Sequence, residues 1–142
     1  MKGKPFIFLT EVFFDELDAL GILHHPRYLH HLERAQQAFF ETLLGVDDFN
    51  PERDEDIYVV VHSLDAVFKI PVRNPGHFEV RYTLKRIRAG GVTMAFEFCD
   101  TDGLIYCTGT RTVCKLSAKS HRPAEWSARF RSALDAWMAA AD

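Results

Sequence analysis

One stretch of this chain repeats its apolar residues at helical spacing, and several shorter stretches alternate them. Tyr28, Leu32, Ala35, Phe39 and Leu43 fall on one helical face, with Leu29 and Phe40 widening the stripe. Pro26 fits the first helical position, where a missing N–H is no loss. Gly45 supplies the stop, so the spacing predicts a helix over 26–44. Before it, 6–14 is rich in β-formers and reads as a strand, and 16–23 reads as a turn. After it come a polar loop over 46–56, with Asn50-Pro51 inside it, and a long β-rich run over 57–70. The run 78–87 alternates cleanly, with Phe78, Val80, Tyr82 and Leu84 on one side and Glu79, Arg81, Thr83 and Lys85 on the other. Strands at 92–99 and 104–116 follow, the last alternating through Ile105, Cys107, Gly109 and Arg111. Turns are expected at 71–77, at Arg88-Ala89-Gly90-Gly91 and at 100–103. A polar linker over 117–123 leads to a second helix over 126–140, with Trp126, Phe130, Leu134, Trp137 and Met138 on one face.

Short connections between strands imply antiparallel pairing. One striped helix and one sheet bury each other in a two-layer α+β domain. The expected organisation is a single domain over 1–142, with a core over 1–120 and a helical extension over 121–142. No repeat or low-complexity tract interrupts it.

Composition narrows the classes. The length of 142 residues suits one domain, and 47% hydrophobic residues suffice for an ordinary core. A net charge of −3 gives no global sign of nucleic-acid binding. No apolar run approaches the roughly 18 residues of a membrane span. The opening MKGKPFIFLTEVFF starts basic and then apolar, but Glu11 and Asp15 break it and no small-residue cleavage site follows, so it reads as the first strand. Cys99, Cys107 and Cys114 are odd in number, lack metal spacing and lie in strand-like runs, as reduced thiols of a cytoplasmic protein would.

Candidate chemistry concentrates in 13–34, FFDELDALGILHHPRYLHHLER. Asp18 precedes a turn in which Gly21, lacking a Cβ, is free to take positive φ. The carboxylate therefore sits within a few residues of free N–H groups at the positive end of a helix, which is suited to an anion or a carbonyl oxygen becoming one. Alone, Asp18 reads equally as a helix cap or a solvated turn acid. His24, His25, His30 and His31 invite a metal, but adjacent pairs lack the i, i+4 spacing that puts two ligands on one face, so no metal is expected.

Asp18-Ala19-Leu20-Gly21-Ile22-Leu23-His24-His25-Pro26-Arg27-Tyr28, followed by Leu32-Glu33-Arg34-Ala35, resembles the 4-hydroxybenzoyl-CoA thioesterase-like branch of the hotdog-fold superfamily. The element order matches over roughly 8–116. The resemblance implies a hotdog fold: a curved five-stranded antiparallel sheet wrapped around one long central helix, here with an added C-terminal helix. It implies hydrolysis of an acyl-CoA thioester, with no cofactor beyond the CoA of the substrate. It also implies dimers or tetramers with active sites at subunit interfaces.

By that resemblance Asp18 matches the catalytic carboxylate, as nucleophile or as general base. The backbone amide of His25 matches the group that polarises the thioester carbonyl, and Gly21 shapes the turn that delivers it. Tyr28, His62 and Ser63 are candidates for the acyl–pantetheine path, although Tyr28 also reads as core. Lys85, Arg86 and Arg88 are candidates for the CoA phosphates, against a solvated strand end. Glu16 and Leu17 stand where many members carry Asp and Thr, Leu20 where a small residue is common, and Arg27 where Asn is frequent. These departures bear on the acyl group. An acyl-carrier-protein thioesterase and a non-catalytic acyl-CoA-binding protein are the alternatives, and the near-neutral charge gives the former no basic docking face.

Overall fold

The computed structural model describes residues 3–48, 50 and 52–140. Its elements are β1 (Phe6–Val12), α1 (Arg27–Leu44), β2 (Val59–Phe68), β3 (Gly76–Arg88), β4 (Gly91–Asp100), β5 (Ile105–Lys115) and α2 (Ala128–Ala139). The strands form one antiparallel sheet in the order β1-β3-β4-β5-β2. The sheet curves around α1, which is the hotdog arrangement.

Alternation places the core. Phe78, Val80, Tyr82 and Leu84 of β3 and Val92, Met94, Phe96 and Phe98 of β4 are buried. They share one cluster with Tyr28, Leu32, Ala35, Phe39 and Phe40 of α1. Leu29, at the edge of the predicted stripe, stays exposed.

Several boundaries differ from the sequence expectation. β1 stops at Val12 because the chain turns: the Glu16 carboxylate accepts the Phe13 N–H at 2.8 Å, and Phe13 and Phe14 are exposed. Pro26 caps α1 rather than entering it. The last helix begins at Ala128, two residues after the predicted start. The Ser127 hydroxyl accepts the Phe130 N–H at 3.1 Å, and Trp126, ahead of the helix, donates its indole N–H to the Gly91 carbonyl at 3.1 Å. Met138 is exposed, so the apolar face ends at Trp137. Pro51 lies outside the described residues.

The larger correction concerns 71–77. That segment does not join neighbouring strands: β2 pairs with β5, whereas β3 pairs with β1 and β4. Residues 69–75 are a crossover between opposite sides of the sheet. Pro71 and Pro75 lack the N–H a ladder needs. Lys69 and Ile70 both donate to the Tyr106 carbonyl, and the Val72 carbonyl accepts the Leu23 N–H. The crossover is thereby tied against the turn that carries Asp18.

α2 packs on α1, with Phe130 against Phe40 at a ring separation of 5.0 Å and Trp137 against Phe39 at 5.1 Å. A buried ionic cluster fixes its start. Asp56 accepts the Ser127 N–H at 2.9 Å and the Ser127 hydroxyl at 2.7 Å, and pairs with Lys115 of β5 at 3.1 Å. Glu55 reaches the same ammonium at 2.8 Å. Burial on its own depresses the Lys115 pKa, but the two carboxylates outweigh it and hold the group above its ordinary value. No described helix is long and apolar enough to cross a membrane.

Candidate active site

The turn after β1 is organised by Asp18 itself. Its Oδ1 accepts the N–H groups of Leu20 at 2.8 Å and Ile22 at 3.3 Å. Its own N–H donates to the Ile22 carbonyl, and Gly21, at φ +75°, donates to the Asp18 carbonyl. The turn-acid reading and the functional reading thus both hold: Oδ1 braces the turn, and Oδ2 has no partner among the described residues. Asp18 lines a cleft of about 320 Å³ together with Leu23, His25, Tyr28, Phe68, Lys69 and Pro71.

His25 enters this cleft at the mouth of α1. The N–H groups of Arg27, Tyr28 and Leu29 find carbonyls at His24, His25 and Pro26, and the His24 N–H finds Glu16. Pro26 has no N–H. The His25 N–H is without an acceptor among the described residues, and His25 lines the carboxylate's cleft at the positive end of an 18-residue helix. Tyr28 is buried against Phe68 and Phe98, and burial pushes its hydroxyl up to about 12, so it stays protonated at neutral pH.

Behind the turn lies a relay not anticipated from the sequence. His31, fully buried on α1, stands between Thr10 of β1 and Glu16. With its Nε2–H donating to Glu16 at 2.7 Å, Nδ1 accepts the Thr10 hydroxyl. Glu16 also accepts the Phe13 N–H through its side chain and the His24 N–H through its carbonyl. Strand, turn and helix are locked around the segment that bears Asp18. Burial lowers the His31 pKa below its ordinary 6.5, and this outweighs the neighbouring Glu16, which raises it. The unfolded chain therefore binds the proton more readily than the folded one, and stability falls as pH drops through 6.5. Thermal unfolding followed by circular dichroism is expected to show a lower Tm at pH 5 than at pH 7.5. The gap should shrink in His31→Gln; an undiminished gap would remove His31 as its source.

The family model described as "Thioesterase-like superfamily" matches residues 12–134. The chain belongs to this superfamily. Among curated members, the "Acyl-CoA thioesterase YbgC" of Haemophilus influenzae is 42% identical over 97 residues, covering 68% of this chain and 69% of that protein. The protein of the same name in Helicobacter pylori is 29% identical over 96 residues, covering 68% of this chain; the match spans 63% of that relative's length. Among solved structures, a predicted thioesterase from Bacillus stearothermophilus superposes with a TM-score of 0.82 at 16% identity, over 95% of this chain and 97% of the other. DHNA-CoA thioesterase from Staphylococcus aureus gives 0.79 at 18% identity, over 93% and 89%. These structural likenesses are of fold.

For a chain of the thioesterase-like superfamily, the remaining predicted site residues divide in two. Asp18, Gly21, His25 and Tyr28 converge at one end of the sheet. Within one chain His62 and Ser63, candidates for the acyl–pantetheine path, and Arg86 and Arg88, candidates for the CoA phosphates, lie away from them. β3 runs 13 residues, at ~3.3 Å each roughly 40 Å. Its Gly76 end pairs with Val12 near the Asp18 turn, and its Arg88 end forms the far hairpin. His62, at a bulge in β2, lines a separate hollow with Arg88 there, and Ser63 and Arg86 are exposed on their strands. The four helix-side histidines do not converge: His31 is committed to Glu16, and His24, His25 and His30 are exposed. Phe68 and Lys69 at the end of β2 were missed. Their signal was the Lys69-Ile70-Pro71 ending of an apolar run, legible only once the crossover is known.

Proposed function

We propose that this protein is an acyl-CoA thioesterase, releasing the free acid and CoA. The observation that carries the reading is the pairing of the unpartnered Asp18 Oδ2 with the unpartnered His25 N–H in one cleft. In hydrolysis, Asp18 takes a proton from water as the hydroxide adds to the thioester carbonyl, or Asp18 adds itself and water later cleaves the anhydride. Either route develops an oxyanion, which the His25 N–H and the helix end stabilise; one such donor is worth on the order of 10²–10³ in rate. The CoA thiolate leaves and is protonated.

The site is read as completed by a second copy of the chain. β2 is an edge strand with Val60, Val61, Val67 and Phe68 exposed, and bare apolar edges are sites of pairing. Lys85, Arg86 and Arg88 have no carboxylate partners among the described residues, and they serve CoA phosphates only if an assembly brings that hairpin to a neighbouring cleft. Lys69 already lines the Asp18 cleft within one chain. Three free thiols fit a reducing, cytoplasmic location. Free-thiol release from a panel of aromatic, short, long and branched acyl-CoAs is expected to show turnover of at least one member. Silence across the panel would remove the reading. Sedimentation velocity is expected to give a dimer or tetramer, and a fully active monomer would contradict the interface site.

A further inference from the structure

Three rows of side chains cross β4, β5 and β2 beneath the start of α1. The outer rows are bulky: Phe98, Cys107 and Phe68 on one side, Met94, Arg111 and Leu64 on the other. The middle row is Phe96, Gly109 and Ala66. The space over Gly109 is taken by its neighbours: a Cβ would stand 2.0 Å from the Asp65 carbonyl and 2.7 Å from the Phe96 ring. The floor stays low at Ala66, beside that ring.

Over Ala66 and Phe96 lies a half-open hollow of about 310 Å³, flanked by Tyr28, Leu29 and Leu32 of α1. It shares His25, Tyr28 and Phe68 with the Asp18 cleft, so it opens directly behind the candidate reacting centre. Its far end closes at Leu32 and Leu64. In the row beyond, the buried Arg111 guanidinium is occupied by Gln36 at 2.7 Å and by Glu33. Away from the mouth, the Cys107 thiol is the polar side chain among the described lining residues, and burial pushes it up to about 11 and keeps it uncharged.

We infer that this hollow, floored by Phe96 and Ala66 and bounded by Leu64, selects an uncharged hydrocarbon acyl chain of roughly six to ten carbons, about the count of ~30 Å³ groups its volume holds. The inference rests on the thioesterase reading for its chemistry and on the cavity for its selectivity. A distal carboxylate or phenol would lie against apolar walls that offer it no charged partner, so succinyl and 4-hydroxybenzoyl esters fall behind octanoyl by on the order of 10²-fold. Shorter chains leave the hollow unfilled and lose about fourfold per missing methylene.

The test compares kcat/KM for acetyl-, butyryl-, hexanoyl-, octanoyl-, decanoyl- and palmitoyl-CoA, with the succinyl and 4-hydroxybenzoyl esters, in wild type, Ala66→Leu and Leu64→Ala. Wild type is expected to peak from hexanoyl to decanoyl. Ala66→Leu, which adds roughly three methylene-sized groups to the floor, shifts the peak to butyryl, with at least about tenfold loss on octanoyl. Leu64→Ala shifts it the other way. An unmoved peak in variants that melt cooperatively, or a wild-type preference for succinyl or 4-hydroxybenzoyl, overturns the inference. Calorimetric binding of the non-hydrolysable thioethers S-octyl-CoA and S-ethyl-CoA separates the two claims. If no ester turns over but S-octyl-CoA binds at least about tenfold tighter, and Ala66→Leu erases that difference, the hollow stands and the hydrolase reading falls. Equal binding of the two thioethers by wild type overturns the hollow whatever the turnover.

Discussion

Asp18→Asn is expected to lower kcat by roughly 10²–10⁴, the usual contribution of a positioned acid–base group, while Tm stays within a degree or two of wild type. The separation of effects follows from how the carboxylate is held. Oδ1 carries the Leu20 and Ile22 amides, and an Asn carbonyl oxygen accepts the same two bonds. Only the oxygen without a partner among the described residues becomes an amide. Asp18→Ala removes both functions and adds a loss of about 1 kcal/mol for the missing turn cap. Steady-state thiol release and thermal melts on the three proteins check this together. An Asn variant with wild-type turnover would show that the carboxylate only braces the turn. Single turnover in heavy-oxygen water then divides the two routes, because label entering Asp18 marks it as the nucleophile.

Asp56→Ala is expected to destabilise the fold by about 3–5 kcal/mol, the range for breaking a buried ion pair from one side. For a chain of this size that lowers Tm by roughly 10–15 °C. The loss has three parts. Lys115, nearly inaccessible, keeps only Glu55, whose side chain is largely in water. The Ser127 N–H and hydroxyl both lose their acceptor. The start of α2, which delivers Phe130 and Leu134 to the core, loses its tether to β5. The pair itself is not the source of stability, since an apolar replacement of both charges is often tolerated. Asp56→Ala with Lys115→Met should therefore recover part of the loss. A double variant as unstable as the sum of the two single ones would mean that Ser127, not the buried ammonium, carries the effect.

The fold was legible in the sequence wherever periodicity is local. The α1 stripe and the alternation of Phe78, Val80, Tyr82 and Leu84 are short-range patterns, and they are buried as read except for the exposed Leu29 and the half-buried Leu43. The crossover was not legible, because Asn74-Pro75-Gly76 looks the same whether it closes a hairpin or leads to the opposite side of a sheet. The pairing that decides, β2 with β5, involves residues about 40–55 positions apart. For the candidate site, Asp18, Gly21 and His25 were readable because one continuous stretch holds them. The Glu16–His31–Thr10 relay was not, since each residue has an ordinary reading where it stands and only folding brings them together. The hollow over Ala66 escaped for the same reason: a small residue in a strand is unremarked until the side chains across from it are known.

The strand order carries a consequence for the sequence of events in folding. β3, β4 and β5 are linked by short turns and close their ladders early, at small entropic cost. β2 precedes them in the chain but pairs only with the last of them, so it waits for the rest of the sheet and holds it by one ladder. The wall of the proposed acyl hollow is then the last part to assemble and the first to open. In native-state hydrogen exchange, the amides of β2 would lose protection through local opening, well below the free energy that guards β3 and β4.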